Sequence, residues 1–335
     1  MNVLLTGGAG YIGSHIAVAL EKVGHSIVIY DNFSNSSKVV LNNIALILGR
    51  EVACIDGDIR DTQLLSKTMN QFSISAVIHL AGLKAVGESV TNPLEYYENN
   101  VQGSLSLLRA MNDQNVKNIV FSSSATVYGD PQYLPIDELH PLFPTNPYGR
   151  TKLQIEQILG DQTISDPKFK VVNLRYFNPV GAHPLGLLGE NPKGMPNNLT
   201  PFIARVASGE LSELSIFGND YPTEDGTGVR DYIHVEDLAE GHIAALNFLP
   251  HMMGFETFNL GTGNGYSVLQ VIDAYKEASG KQIHYKIVGK RPGDIASCYA
   301  DPTKANQTLN WKAERTLLDM CASSWAFQQH LKKSQ

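Results

Sequence analysis

The chain has 335 residues, 43% hydrophobic and 18% charged, a balance that excludes a disordered protein and accommodates one large α/β unit or two modest domains. Its formal charge of -7 comes from 33 acidic and 26 basic residues without a long like-charge block, which argues against a nucleic-acid-binding surface but leaves an anionic small ligand open. The three cysteines, Cys54, Cys298 and Cys321, are far apart and lack C-x-x-C spacing, which excludes a disulfide framework or cysteine-rich zinc site and fits a reducing compartment.

The first apolar run, residues 3–5, enters glycine directly, with neither a basic leader nor a membrane-length apolar stretch, so a cytoplasmic chain with no membrane association is expected. Further short apolar runs at 27–30, 52–55, 77–80 and 119–121 alternate with helix-spaced segments such as 12–23 and 93–112. Short buried strands alternating with helices predict a doubly wound parallel sheet of Rossmann type.

Gly7, Gly10 and Gly13 lie between the first predicted strand and helix, where backbone must turn sharply and approach a pyrophosphate at a helix N-terminus. A glycine triplet is a weak signal alone, but Asp31 ends the second predicted strand eighteen residues after Gly13. A carboxylate there accepts hydrogen bonds from ribose hydroxyls and favours NAD over NADP; read alone, Asp31 is equally an ordinary turn residue. Asp58, after the third run, reads as either a helix cap or an adenine-side contact.

Ser122, Ser123 and Ser124 follow the run at 119–121, at the carboxyl end of a predicted parallel strand, where open α/β sheets bind ligands. Any one of them serves as a turn or cap, or as a hydroxyl that passes a proton. Prolines at 131, 135, 141, 144 and 147 then mark a loop before a helix predicted over 149–159. Tyr148 and Lys152, four apart, share one helix face, and an ammonium beside a phenol is expected to lower the phenol pKa toward that of a general base. After the run at 171–174, the Gly-, Pro- and Asn-rich stretch 178–198 reads as a site-building loop. The ten histidines form no ligand-spaced cluster and read as packing or surface residues; no metal is expected.

Glycine loop, strand-end acid, serines and Y-x-x-x-K in this order resemble the extended short-chain dehydrogenase/reductase family, in particular its members that invert C4 of UDP-hexoses. The resemblance runs over nearly the whole chain: TGGAGYIGSH at 6–15, AGLKAVGES at 81–89, SSSATVYG at 122–129, PYGRTK at 147–152, RYFNP at 175–179, PNNL at 196–199, GVRDYIHV at 228–235 and RPGD at 291–294. It implies an NAD-binding Rossmann domain over 1–177 with a returning segment near 233–260. A smaller, mainly substrate-binding α+β domain would span 178–335.

By this resemblance Tyr148 is the base, Lys152 lowers its pKa and holds the nicotinamide ribose, and Ser124 mediates proton transfer at the sugar 4-hydroxyl. Hydride would pass from sugar C4 to tightly held NAD and return to the other face of a transient 4-keto sugar. NAD would also contact Gly7, Gly10, Tyr11, Ile12 and Gly13 in the first loop, and Asp31, Asn32, Asp58 and Ile59 at the adenosine end. Leu80, Ala81, Gly82, Lys84, Asn99, Ser122 and Tyr176 would complete its site. The UDP-sugar would meet Asn178, Asn198, Leu199 and Phe217, with Arg230, Arg291, Asp294 and Cys298, besides Ser124 and Tyr148. Arginine suits a diphosphate because its planar donors pair with phosphate oxygens; a surface ion pair is the plainer reading of Arg230 and Arg291. A homodimer packing helices near 93–112 and 149–160 is also implied.

Cys298 stands where some members of the family carry tyrosine, so the pocket is expected to admit UDP-N-acetylhexosamines as well; a small residue chosen for packing is the simpler account. Two other functions fit the scaffold. A nucleotide-sugar dehydratase would need Asp-Glu where this chain has Ala125-Thr126, and a non-catalytic NAD sensor would not need Tyr148, Lys152 and Ser124.

Overall fold

The computed structural model describes residues 1–291 and 293–333; Pro292, within the RPGD segment quoted above, lies outside them. The chain opens with β1 (Asn2–Thr6), α1 (Tyr11–Lys22), β2 (Ser26–Asp31), α2 (Val39–Leu48), β3 (Ala53–Asp56), α3 (Thr62–Gln71) and β4 (Ala76–His79). Two short helices, α4 (Val86–Thr91) and α5 (Pro93–Tyr96), precede α6 (Gly103–Asp113), β5 (Asn118–Ser124), α7 (Pro147–Ser165) and β6 (Lys170–Tyr176). The second half adds β7 (Asn178–Val180), α8 (Leu199–Ala207), β8 (Leu214–Phe217), β9 (Val229–His234), α9 (Val235–Phe248), β10 (Gly254–Leu260) and β11 (Gly265–Ser267). It ends with α10 (Val268–Ser279), β12 (Tyr285–Val288), β13 (Ser297–Cys298), α11 (Thr303–Leu309) and α12 (Leu317–Lys333). No described helix is long and apolar enough to cross a membrane.

Seven strands form one parallel sheet in the order β10-β6-β5-β4-β1-β2-β3. Side chains alternate across it, as period-2 geometry requires. Val3, Leu5, Ile27, Ile29, Val120 and Val172 face the core beneath α1 and α9, whereas Leu4, Val28, Tyr30, Ile119, Phe121 and Val171 face α3, α6 and α7. With both faces covered, each fully buried aliphatic side chain contributes about 1.5–3 kcal/mol, which is why these strands read as continuous apolar runs. The strand order reverses around β1, with β2 on one side and β4 on the other, and this opens a crevice beyond their carboxyl ends.

A smaller unit gathers around Ile203, Ile216, Tyr232, Ile272 and Tyr275, with β9 flanked by β7, β11 and β13, and β8 paired with β12. The chain passes between the two units more than once: α9 packs on α1, and β10 adds to the edge of the large sheet beside β6. A fourth apolar cluster, Val127, Tyr128, Ile136, Phe177, Cys298 and Ala300, joins them beyond the end of β5.

Two helices differ from their sequence expectation. The segment 93–112 is not one helix, because the turn Tyr97–Gln102 is π-helical. There Asn100 points inward and meets the Leu83 backbone at both N–H (2.8 Å) and C=O (3.0 Å). Such widened turns recur at functional positions. Helix α7 starts two residues before 149 and runs six beyond 159, because Asn146 accepts from Gly149 N at 2.9 Å and Pro147 occupies the first turn.

Between α7 and the sheet lies a buried ion pair. Arg175 donates to Glu156 Oε2 at 2.7 Å and Oε1 at 3.1 Å, with both side chains 5% exposed. Removing one member strands the other charge, so Arg175→Leu is expected to lose about 3–5 kcal/mol in urea unfolding, while Arg175→Leu/Glu156→Leu loses less. A double variant less stable than the single would contradict this.

Candidate active site

The first loop leaves β1 and enters α1 with its backbone donors free of any side-chain cap at Gly10. Gly7 has φ +71°, and a Cβ there would stand 2.8 Å from Ala81 N; at Gly13 it would stand 2.3 Å from the Gly7 carbonyl oxygen. Only glycine permits this approach of β1, α1 and the loop after β4, and the result is a helix N-terminus open to an anion. Asp31 closes the far side: its Oδ2 accepts from Ala9 N (3.0 Å), and its Oδ1 accepts from Phe33 N and Ser36 Oγ (both 2.9 Å). The carboxylate thus braces the loop and retains one of roughly four acceptor positions. These residues fit a dinucleotide.

Asp58 does not cap α3. Asp61 does, accepting from Leu64 N, while Asp58 takes a two-pronged contact from Arg60 (2.8 Å twice) and one from Asn32 Nδ2 (3.3 Å). The Arg60 hydrogen bonds hold the Asp58 carboxyl down at about 2. Ile59 is buried against Gly103, so its side chain belongs to the core. Tyr11 reaches across to Gly181 O at 2.7 Å, and Ile12 packs on the α1 face of the sheet. After β4, Leu80 N donates to Thr6 O at 3.1 Å, Ala81 abuts Gly7, Gly82 faces Asn100, and Asn99 Nδ2 donates to Asn100 Oδ1 at 3.0 Å.

Ser124, Tyr148 and Lys152 converge beyond the carboxyl end of β5. Ser124 Oγ accepts from Thr126 N (3.2 Å) and Oγ1 (3.0 Å), and its hydroxyl stands near enough to act on the Tyr148 phenol. Lys152 Nζ donates to the Ser122 carbonyl at 2.6 Å and lies 6.0 Å from the centre of the Tyr148 ring. Burial lowers the Lys152 ammonium to about 8, opposed by the Glu156 charge. Burial raises the Tyr148 phenol above its ordinary value, partly offset by the Ser124 hydroxyl. This reverses the direction expected from the Tyr148–Lys152 spacing: the ammonium is committed to a backbone carbonyl, and desolvation outweighs it. Tyr176 lies beside them, near Ser122, with its hydroxyl on His242 Nε2.

The remaining candidates form separate groups. Lys84 Nζ meets Glu190 Oε1 at 3.1 Å, and the same oxygen accepts from Asn198 Nδ2 at 2.6 Å. Leu199 begins α8, and Asn178 pairs with Tyr232 in the small sheet. Arg230 stands opposite Cys298 in the β9–β13 pairing and donates to Val229 O at 2.8 Å. Cys298 is buried with Ala125 and Phe177, next to the Ser124 end of β5; burial lifts its thiol to about 11, with Arg230 pulling the other way. Farther out, Arg291 lies over the Phe217 ring at 4.5 Å and pairs with Asp294 at 2.9 Å.

Several residues of this region have no signature in the sequence. Glu190 lies in the irregular stretch 178–198, where no periodicity marks it. Asp231 is fully buried and accepts from Thr262 N and Oγ1, Gly263 N and Ala300 N at 2.7–3.1 Å, fixing the strand next to Arg230. His79 bridges Thr6 Oγ1 (2.8 Å) and Ser104 Oγ (2.9 Å) behind Lys152. Among the described residues no cluster of side chains could hold a metal ion.

The family model "NAD dependent epimerase/dehydratase family" matches residues 3–261. UDP-glucose 4-epimerase of Bacillus subtilis is 55% identical over 328 residues, 98% of this chain and 97% of that protein. A UDP-glucose-4-epimerase of Stenotrophomonas maltophila, solved with bound NAD and formylated UDP-arabinopyranose, superposes with a TM-score of 0.98 at 48% identity, covering all of both chains. One from Bifidobacterium longum, in complex with NAD+ and UDP, gives a TM-score of 0.95 at 54% identity, again over all of both chains.

The depressed lysine gives a signed pH effect. Between about 8 and the ordinary 10.5, the unfolded chain binds the Lys152 proton and the folded chain does not, so this group makes stability rise with pH there and adds no slope below. In urea unfolding, wild type is expected to gain on Lys152→Met between pH 8 and 10 and to run parallel to it between pH 6 and 7. A constant difference throughout would assign Lys152 an ordinary pKa.

Proposed function

The chain belongs to the NAD dependent epimerase/dehydratase family, and on that basis we propose that Tyr148, Lys152 and Ser124 invert C4 of UDP-glucose and UDP-galactose. It is an NAD-dependent isomerase. The observation that carries the residue assignment is the convergence of Ser124, at the end of β5, with Tyr148 and Lys152, one turn apart on α7.

NAD, when bound, supplies a reversible hydride acceptor at sugar C4. Gly7, Gly10 and Gly13, with Tyr11 and Ile12, would hold its pyrophosphate at the start of α1, and Asp31, Asn32, Asp58 and the Ile59 backbone would receive the adenosine. Leu80, Ala81, Gly82, Lys84, Asn99, Ser122 and Tyr176 border the rest. Ser124 Oγ accepts the proton of the sugar 4-hydroxyl and hands its own to Tyr148; the steps reverse when the opposite face of C4 is reduced. Tyr148 works as a base only with a cation to offset its burial, and Lys152 supplies that charge. Arg230 and Arg291 grip the diphosphate, Arg291 exchanging Asp294 for phosphate oxygen while Phe217 stacks behind it. Asn178, Asn198 and Leu199 line the sugar and uridine approach.

Loss of water is disfavoured here. Residues 125–126 are Ala and Thr, and Thr126 spends its hydroxyl on Ser124, so no acid stands where elimination would need one. The small, buried Cys298 beside Ala125 and Phe177 leaves space at the sugar C2 group, which supports acceptance of UDP-N-acetylhexosamines. The three free thiols support a reducing, cytoplasmic setting. Exposed Leu94, within the 93–112 segment read as part of the homodimer face, supports that assembly.

Purified protein given UDP-galactose and no added coenzyme is expected to form UDP-glucose; loss of water or no reaction overturns the assignment. Tyr148→Phe keeps the ring and the bound NAD but should lose about 10²–10⁴ in turnover. Cys298→Tyr should suppress turnover of the acetylated pair and spare UDP-glucose and UDP-galactose. Equal effects on both pairs would refute the steric argument.

A further inference from the structure

Resting on the assignment of Tyr148 as the base, we propose that His242 is a positioning residue: it takes the Tyr176 hydroxyl hydrogen in a fixed hydrogen bond, so that Tyr148 is the phenol free to exchange its proton. Two tyrosines stand close together at this site, near enough for the Tyr148 charge to act on Tyr176. Something must decide which of them ionises.

The decision lies in helix α9, on the other side of the sheet from α7. Ser122 and Tyr176 sit at alternate positions to Ser123 and Arg175, so they face α9 while the latter pair faces α7. His242 is fully buried there. Its Nδ1 lies 2.8 Å from the Leu238 carbonyl oxygen, one helical turn back, and its Nε2 meets the Tyr176 hydroxyl.

The direction of each bond follows from what each atom can do. A carbonyl oxygen only accepts, so Nδ1 carries the hydrogen. Burial holds the imidazole down at about 4, opposed only by the Leu238 hydrogen bond, and no charged side chain contributes to its shift. His242 is therefore neutral at pH 7, and Nε2 presents a lone pair. Tyr176 must donate to it; the nearby Ser122 hydroxyl favours the phenolate form but does not offset burial. The Ser122 carbonyl in turn holds Lys152 Nζ at 2.6 Å. The chain from Leu238 through His242 to Tyr176 has one orientation, and neither of its protons can move without stranding a buried donor or acceptor.

The groups facing the two phenols are few. Tyr176 meets Ser122 from β5, Tyr148 from α7 and His242 from α9. Tyr148 meets Ser124 from β5, Lys152 from its own helix, with Glu156 behind the lysine, and Tyr96 from α5, whose hydroxyl donates to Glu88. The sole cation among these is Lys152. A Tyr176 freed from His242 would turn its hydroxyl toward Tyr148 and Ser122 and compete for it.

The test compares His242→Leu, His242→Gln, Tyr176→Phe and the His242→Leu/Tyr176→Phe pair, each first checked for bound NAD. His242→Leu is expected to lower kcat about tenfold, the worth of one hydrogen bond, with KM held within about twofold and the apparent pKa of the kcat profile moved by about half a unit. The double variant should be no worse than Tyr176→Phe, because both act through one bond. His242→Gln, whose amide oxygen can accept, should recover most of the loss. The ¹⁵N spectrum of wild-type histidines should show His242 as the Nδ1–H tautomer. An unchanged kcat profile in His242→Leu, losses that multiply in the double variant, or an Nε2–H tautomer each overturn the proposal; the spectrum decides even if the leucine variant fails to fold. Full activity of Tyr148→Phe would instead overturn the assignment of the base.

Discussion

The Glu156 carboxylate is the constraint on which the site depends. It is 5% exposed, so it must be paired, and its partners come from two different strands: Arg175 of β6 and Ser123 of β5. Sliding α7 by one residue would unpair a buried charge, which locks the helix to the sheet in one register. Tyr148 and Lys152 precede Glu156 by two turns and one turn on the same helix, so their reach toward Ser122 and Ser124 follows from that register. The carboxylate also acts through space on Lys152, opposing the desolvation that would otherwise take more of its charge.

Burial sets protonation throughout this region. His79 falls to about 3 under burial and the Lys152 charge, and its ring bridges two hydroxyls. His242 is held neutral by burial as well. A neutral imidazole has one donor and one acceptor, so each of these histidines imposes a direction on the hydroxyls around it. Lys152 is a buried cation of the site, anchored on a carbonyl. Desolvation prevails at the neighbouring Tyr148 phenol, which burial raises above its ordinary value.

The two units of the chain are joined by polar backbone pairing as much as by apolar packing. Asn259 at the β10 end accepts Tyr128 Oη at 2.6 Å and donates to Ile136 O at 2.9 Å. Asp231 binds the Ala300 and Gly263 backbones, and Glu190 spans Lys84 and Asn198 across the crevice. These contacts bring Arg230 and Cys298, far away in sequence, to the end of β5.

The sequence by itself determined the parallel sheet, because buried strands and covering helices have local periodicities of two and 3.6. It also determined the loop at Gly7, Gly10 and Gly13, where backbone contact excludes any side chain, and the shared face of Tyr148 and Lys152, which is a matter of four-residue spacing. Choices between equivalent local readings were not legible: Asp61 and not Asp58 caps α3, and the helix over 93–112 contains a π turn. Only the tertiary structure decided the electrostatics. The direction of the Tyr148 shift, the pairing of Glu156 with Arg175, the cradle around Asp231 and the bond from Tyr176 to His242 join residues 19 to 69 positions apart, or depend on how much water the fold removes. Spacing along a chain carries no record of which distant partner will meet a buried polar group; packing alone selects it.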